Sequence, residues 1–219
     1  MKKIYLLLVF IFCLNLSEIY AQIKTDPDDV SQRRAKSNQD QQAKAKEWVA
    51  SLELKDEARI TRVENVITTH LIAVRDWHNS HPYTQVPAGI NPKTGDKLSE
   101  LDRRMIAHSA KPDSIHQNFM EGLRKDLNEE QVIAILDKYT VGKVDFTMKG
   151  YHAIVPDLTD EEAQHIRGLL EEARERSVDY KNMEEISAIF EIYKTKAESY
   201  LNSNGRNWRQ LYKDFVNKN

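Results

Sequence analysis

DLTDEEAQHIRGLLEEARERSVDYKNMEEISAIFEIYKTKAESY, residues 157–200, decides the fold. Ala163, Ile166, Leu170, Ala173 and Ser177 recur at alternating spacings of three and four, and so do Met183, Ile186, Phe190, Tyr193, Ala197 and Tyr200. That period puts each set on one face of a helix, and two such stripes in succession suit a packed antiparallel pair. The start of the first is marked chemically. Thr159 is placed to cap the first turn, Glu162 to reach back to it, and Leu158 to pack over Ala163. The same signature opens an earlier segment, where Asn128 caps, Gln131 reciprocates and Leu127 staples onto Val132. Acidic residues in both first turns, Asp160-Glu161 and Glu129-Glu130, complement the helix dipole.

Working outward, Ala45, Trp48, Val49 and Leu52 mark a first amphipathic helix. Ile60, Val63, Ile67, Leu71, Val74 and Trp77 mark a longer one. The pattern breaks from His78 to Lys97, where Pro82, Pro87, Gly89, Asn91-Pro92 and Thr94-Gly95 are turn signals, so one long loop is expected. Asn204-Gly205 ends the second stripe, and Trp208 to Val216 forms a short final amphipathic segment. No stretch alternates as a strand does, although Val141 to Phe146 has the composition of an extended link. Few glycines and prolines with many charged residues agree with helices joined by short loops. The expectation is an all-α, bundle-like single domain over residues 41–219.

Two other segments precede it. Residues 1–21, MKKIYLLLVFIFCLNLSEIYA, have a basic start at Lys2-Lys3, an apolar stretch and a small residue at Ala21, the pattern of a cleaved signal peptide. The apolar stretch is shorter than the about 20 residues that span a bilayer, so no membrane attachment is expected after its removal. Residues 22–40 are polar and are expected to form a disordered leader. Export, to the periplasm or beyond, follows. The one cysteine, Cys13, lies within the signal, so the mature chain has no disulfide, thiol nucleophile or thiolate metal ligand. The whole chain carries −2, and removal of Lys2, Lys3 and Glu18 leaves −3. The charges are interspersed without a basic stripe, which argues against a nucleic-acid partner.

No catalytic signature is present, and the candidate sites are constellations. His78 and His81 stand three apart near a helix end; if the helix continued they would share a face at metal-ligand spacing, but Pro82 favours a helix end there and no third ligand is identifiable. No cofactor or metal is therefore expected. Trp77 and Tyr83 flank these histidines. Tyr151 and His152, before Pro156, offer an aromatic face and polar handles for a sugar, or else a core tyrosine satisfied locally. Glu171 and Glu172 point about 100° apart on a helix and do not converge as paired catalytic carboxylates would. His70 lies on an apolar stripe and reads as an interior histidine. Arg103-Arg104 and Arg206 with Arg209 are cations that acidic sugars would meet.

Leu127-Asn128-Glu129-Glu130-Gln131-Val132, Tyr151, Pro156 to Glu162, Leu170 to Glu175, Phe190 to Lys194 and Tyr200-Leu201 together resemble a secreted bacterial family of unknown function, number three-eight-two-six. The resemblance is densest from Leu123 to Asp214. It implies an exported helical protein encoded beside genes for the breakdown of plant polysaccharides, pectic glycans above all, and it brings no catalytic residues. Ala197-Glu198-Ser199 depart from the family pattern, which has asparagines before the tyrosine–leucine pair. The expected function is an accessory protein that binds an acidic glycan fragment in a cleft between the long loop and the Tyr151 segment. Stacking falls to Trp77, Tyr83 and Tyr151, and hydrogen bonding to His78, His81 and His152. A glycan-acting enzyme is the alternative. The capped Leu-Thr starts are also similar in part to periplasmic stress proteins, which adds a chaperone-like reading.

Overall fold

The computed structural model describes residues 27–218; the expected signal peptide and the first residues of the expected leader lie outside them. The described residues form helices α1 (Pro27–Ala50), α2 (Glu57–Ser80), α3 (Glu100–His108), α4 (Asp113–Asp126), α5 (Glu129–Thr140), α6 (Lys143–Ile154), α7 (Asp160–Ser177), α8 (Met183–Ser203) and α9 (Trp208–Lys218). One 3-10 turn, Tyr83–Gln85, lies in the long loop, and the sole β-bridge found there joins Ile90 to Lys97. The fold is all-α. No described helix is long and apolar enough to cross a membrane.

Capping fixes most of the helix starts. Thr159–Glu162 and Asn128–Gln131 form the reciprocal boxes that their sequences announce, and Ser99–Asp102 forms a third at α3. Asp56 and Asn182 cap α2 and α8. A cap of this kind stabilises its helix by about 1 kcal/mol.

Two expectations are corrected. The leader is helical from Pro27 rather than disordered through residue 40. Residues 28–50 contain neither glycine nor proline, Asp28 and Asp29 sit in the first turn, and Asp29 pairs with Arg33 one turn on at 3.3 Å. The segment from Val141 is not extended. Val141 and Gly142 both take left-handed φ, 54° and 64°, which ends α5 and lets α6 begin at once.

The chain falls into two units, residues 1–43 and 44–219, and both apolar cores lie within the second. The first core gathers α2, α4 and α5 around Val63, Ile67, Phe119, Leu123 and Ile135. The second gathers α6, α7 and α8 around Met148, Tyr151, Ile166, Leu170, Phe190 and Leu201. α4 lies so close to α2 at Gly122 that a Cβ there would sit 2.8 and 2.9 Å from the two Val66 methyls. The turn between α7 and α8 ties the cores together. Val178 is buried in the first, and Tyr180 packs against the second.

Candidate functional site

Asp179 stands between those two anchors, 5 % exposed, at the centre of a buried polar cluster. His70 Nε2 donates to its Oδ1 at 2.8 Å. His116 Nδ1 and Lys111 Nζ both reach Oδ2 at 3.1 Å. His78 Nε2 lies 3.3 Å from its backbone oxygen. The groups come from three stretches of chain: His70 and His78 from α2, Lys111 from the α3–α4 link and His116 from α4. A carboxylate accepts about four hydrogen bonds, so Asp179 is close to saturated.

Its electrostatics follow from that wiring. Burial opposes ionisation of Asp179, but the hydrogen bonds from His116 and then His70, with the charge of Lys111, hold its carboxyl far below the usual range. His70 is pulled down by its own burial, against the attraction of Asp179. A neutral His70 that donates from Nε2 accepts at Nδ1, where the Tyr139 hydroxyl lies at 2.9 Å. His116 moves the other way: its hydrogen bond to Asp179 raises it against burial. His108 falls to about 4 through burial, then His78 and Lys111. Its Nδ1 lies 3.3 Å from His78 Nε2, and its ring stacks on Tyr180 at 3.7 Å.

Asp179, Lys111, His116 and His108 border a cleft of about 770 Å³. His108, Lys111 and His116 lie along one side, and Glu171, Arg174 and Arg176 of α7 along another. His116 Nε2 lies 3.7 Å from Glu175 Oε1. An imidazole on the cleft wall, held by a buried carboxylate at Nδ1 and with a second carboxylate near Nε2, is a group that can exchange a proton. Arg174 is 5 % exposed and pairs with Asp137 at 3.1 Å, yet its Nε has no partner.

The residues expected from sequence fall elsewhere. His78, His81 and Tyr83 line a second cavity of about 430 Å³ with Arg104 and Lys181. His81 ends α2, stacks on Trp77 at 3.5 Å and donates from Nδ1 to the Trp77 carbonyl at 3.0 Å. His78 Nε2 reaches His108 Nδ1 and the Asp179 backbone oxygen, each at 3.3 Å. No three His, Cys, Asp or Glu side chains among the described residues converge as metal ligands. Tyr151 is buried in the second core, its hydroxyl donating to the Lys194 carbonyl at 3.3 Å, and borders a third cavity. His152 is exposed on α6 and lines none of these three. The cleft expected between the loop and the Tyr151 segment is therefore replaced by separate cavities, because α6 turns Tyr151 into the core. The arginines are committed as well. Arg103 donates to the Val86 carbonyl, Arg104 pairs with Glu100 and Glu184, and Arg206 grips Glu162 through both carboxylate oxygens at 2.7 Å.

Residues 38–219 match the family described as "Protein of unknown function (DUF3826)". The chain belongs to the DUF3826 family. No curated protein matches it. In this DUF3826 protein the residues that sequence reasoning passed over are Lys111, His116 and Asp179. Each lies in a polar stretch with no periodic or motif signal. The clue was the pairing of an interior histidine, His70, with the need for a buried partner, which left Asp179 to be found among many acidic residues.

Proposed function

We propose that this protein is an exported accessory factor of plant-polysaccharide use that binds an acidic, pectic glycan fragment in the Asp179 cleft. The observation that carries the reading is the cleft's lining. Paired charged side chains of both signs, Lys111 beside Asp179, His116 beside Glu175 and Arg176 beside Glu172, offer the fixed donors and acceptors that vicinal hydroxyls and a uronate carboxylate require. The stacked His108–Tyr180 pair adds an aromatic edge. The cleft's volume lies within the about 300–1,000 Å³ of small-ligand sites. The cavity lined by His78, His81 and Tyr83 adjoins it through the His78–His108 contact and extends the surface open to a longer chain.

Native mass spectrometry with oligogalacturonides and neutral plant oligosaccharides tests this. Intact acidic adducts, weakened about tenfold by Arg176→Ala or Tyr180→Ala, are expected; no adduct at millimolar sugar removes the reading. The His116–Asp179 couple favours a second reading, a glycan-acting enzyme with His116 as its acid–base group. New products in the same incubation, lost in His116→Gln, would establish it.

A further inference from the structure

The third cavity, about 560 Å³ between α6 and α9, differs in chemistry from the Asp179 cleft. Its walls are Phe146, Tyr151 and Ile154 on one side and Trp208 and Tyr212 on the other. Trp208 lies 5.2 Å from Tyr151 and 6.2 Å from Tyr212, ring centre to ring centre, so the rings form a continuous aromatic wall. Phe146 and Tyr212 are 77 % and 52 % exposed although both border a concavity. Apolar rings left open to water around a hollow mark an unfilled contact.

Gly150 keeps the hollow open. It sits within α6 between Phe146 and Ile154, one turn from each, and borders the cavity. Glycine weakens a helix interior, and here neither backbone nor packing requires it. Its φ is not positive, and a Cβ built on it meets nothing within 4 Å. What its lack of a side chain provides is the floor of the pocket.

The polar side chains at the rim are few: Thr147, Lys149, Lys194 and Glu198. Lys149 is exposed and makes no ion pair among the described residues. Lys194 is held by Glu191 at 2.9 Å. The one carboxylate in the lining is Glu198, and burial and then Glu191 raise its pKa despite Lys194. The Tyr151 hydroxyl is already spent on the Lys194 carbonyl. A pyranose would leave most of its hydroxyls without partners in such a site, whereas a flat ring with one anionic group would not.

We propose that the α6–α9 pocket binds a small planar aromatic carboxylate, with its ring between Phe146 and the Trp208–Tyr212 wall and its carboxylate at Lys149. The ring gains apolar contact that the exposed side chains now lack, and the lysine supplies a charge-assisted contact at the mouth.

Calorimetric titration of the purified protein with 4-hydroxycinnamate, and with its neutral amide, tests this. The acid is expected to bind saturably and the amide at least threefold more weakly. Gly150→Phe, which fills the floor, should weaken the acid at least tenfold without lowering Tm, and Gly150→Ala should have a smaller effect. Lys149→Gln should bring the acid down to the amide's affinity and leave the amide unchanged. If Gly150→Phe does not fold, the acid–amide difference in Lys149→Gln decides. Absence of saturable binding at millimolar acid, or binding indifferent to both substitutions, overturns the proposal. So does an oligosaccharide or protein partner whose binding, in place of the acid's, is lost in Gly150→Phe.

Discussion

Asp179→Asn keeps the shape of the side chain and removes only its charge and one acceptor, so it isolates what the buried network is worth. His70 retains a partner, because the amide oxygen can take the place of Oδ1 at 2.8 Å. The other side fails: the amide NH₂ would face His116 and Lys111, which are both donors, 3.1 Å away. Lys111 has a side chain only 5 % exposed, and it loses its counter-ion. At the effective dielectric of about 20 that suits protein sites, two unit charges at that separation attract by about 5 kcal/mol. Removal of one member of a buried pair typically costs about 3–5 kcal/mol, because the survivor is stranded. At about 2–4 °C per kcal/mol for a domain of this size, Tm should fall by about 10 °C. Urea unfolding of wild type, Asp179→Asn, Lys111→Met and the double variant measures this. If the cost is the stranded charge, the double variant should recover about half or more of the loss. Proton NMR should also show the His116 pKa lower in Asp179→Asn, because the bond to Asp179 is the main cause of its elevation. A loss under 1 kcal/mol, or strict additivity in the double variant, would refute the reasoning.

Three further outcomes follow from the same geometry. Glu162 is held at about 2, below its ordinary 4.5, chiefly by its hydrogen bonds to Arg206. Its stabilisation is therefore present above pH 4.5 and lost as pH falls towards 2, and Arg206→Met should flatten that part of the stability curve. His108, depressed to about 4, should remain neutral by NMR at pH 6, and should erode stability as pH falls from 6.5 towards 4, where only the unfolded chain takes the proton. Gly122→Ala gains about 1 kcal/mol of helix propensity but drives a methyl into Val66, at a typical overpacking cost of about 1–3 kcal/mol. Chemical denaturation should show it neutral to destabilising in wild type and stabilising in a Val66→Ala background.

The helices were legible where a helix declares itself locally. The Thr159 and Asn128 boxes use residues three apart, and the stripes of α2, α7 and α8 are set by burial of one face, so both signals are contained in short windows. α6 escaped the sequence reading because Gly150 and the nearby Pro156 suggest a loop, although Val144, Met148, Tyr151 and Val155 carry the helical period and are all buried. The amino-terminal part of α1 escaped for the opposite reason. It has almost no apolar face, so only propensity and first-turn charge speak for it, and these are weak signals beside hydrophobic periodicity.

The site was less legible because its residues are joined by contacts that sequence spacing does not encode. His70 and Asp179 are 109 positions apart, and His116 and Asp179 are 63 apart. None of the three belongs to a motif. What the chain does declare is a condition: a histidine on the buried stripe of α2 must find a partner within the core, since an unpaired polar group there costs about 1–3 kcal/mol. That condition restricts the partner to a position that can enter the interior without belonging to an apolar face. A turn between two core helices meets it, and of the residues at Ser177–Tyr180 only Asp179 is a carboxylate. The same turn must anchor in both cores, through Val178 on one side and Tyr180 on the other, which fixes the carboxylate at the seam. Once it is fixed there, Lys111 from the α3–α4 link and His116 from α4 both reach its Oδ2 at 3.1 Å. A polar cleft thus arises where two apolar cores leave a gap.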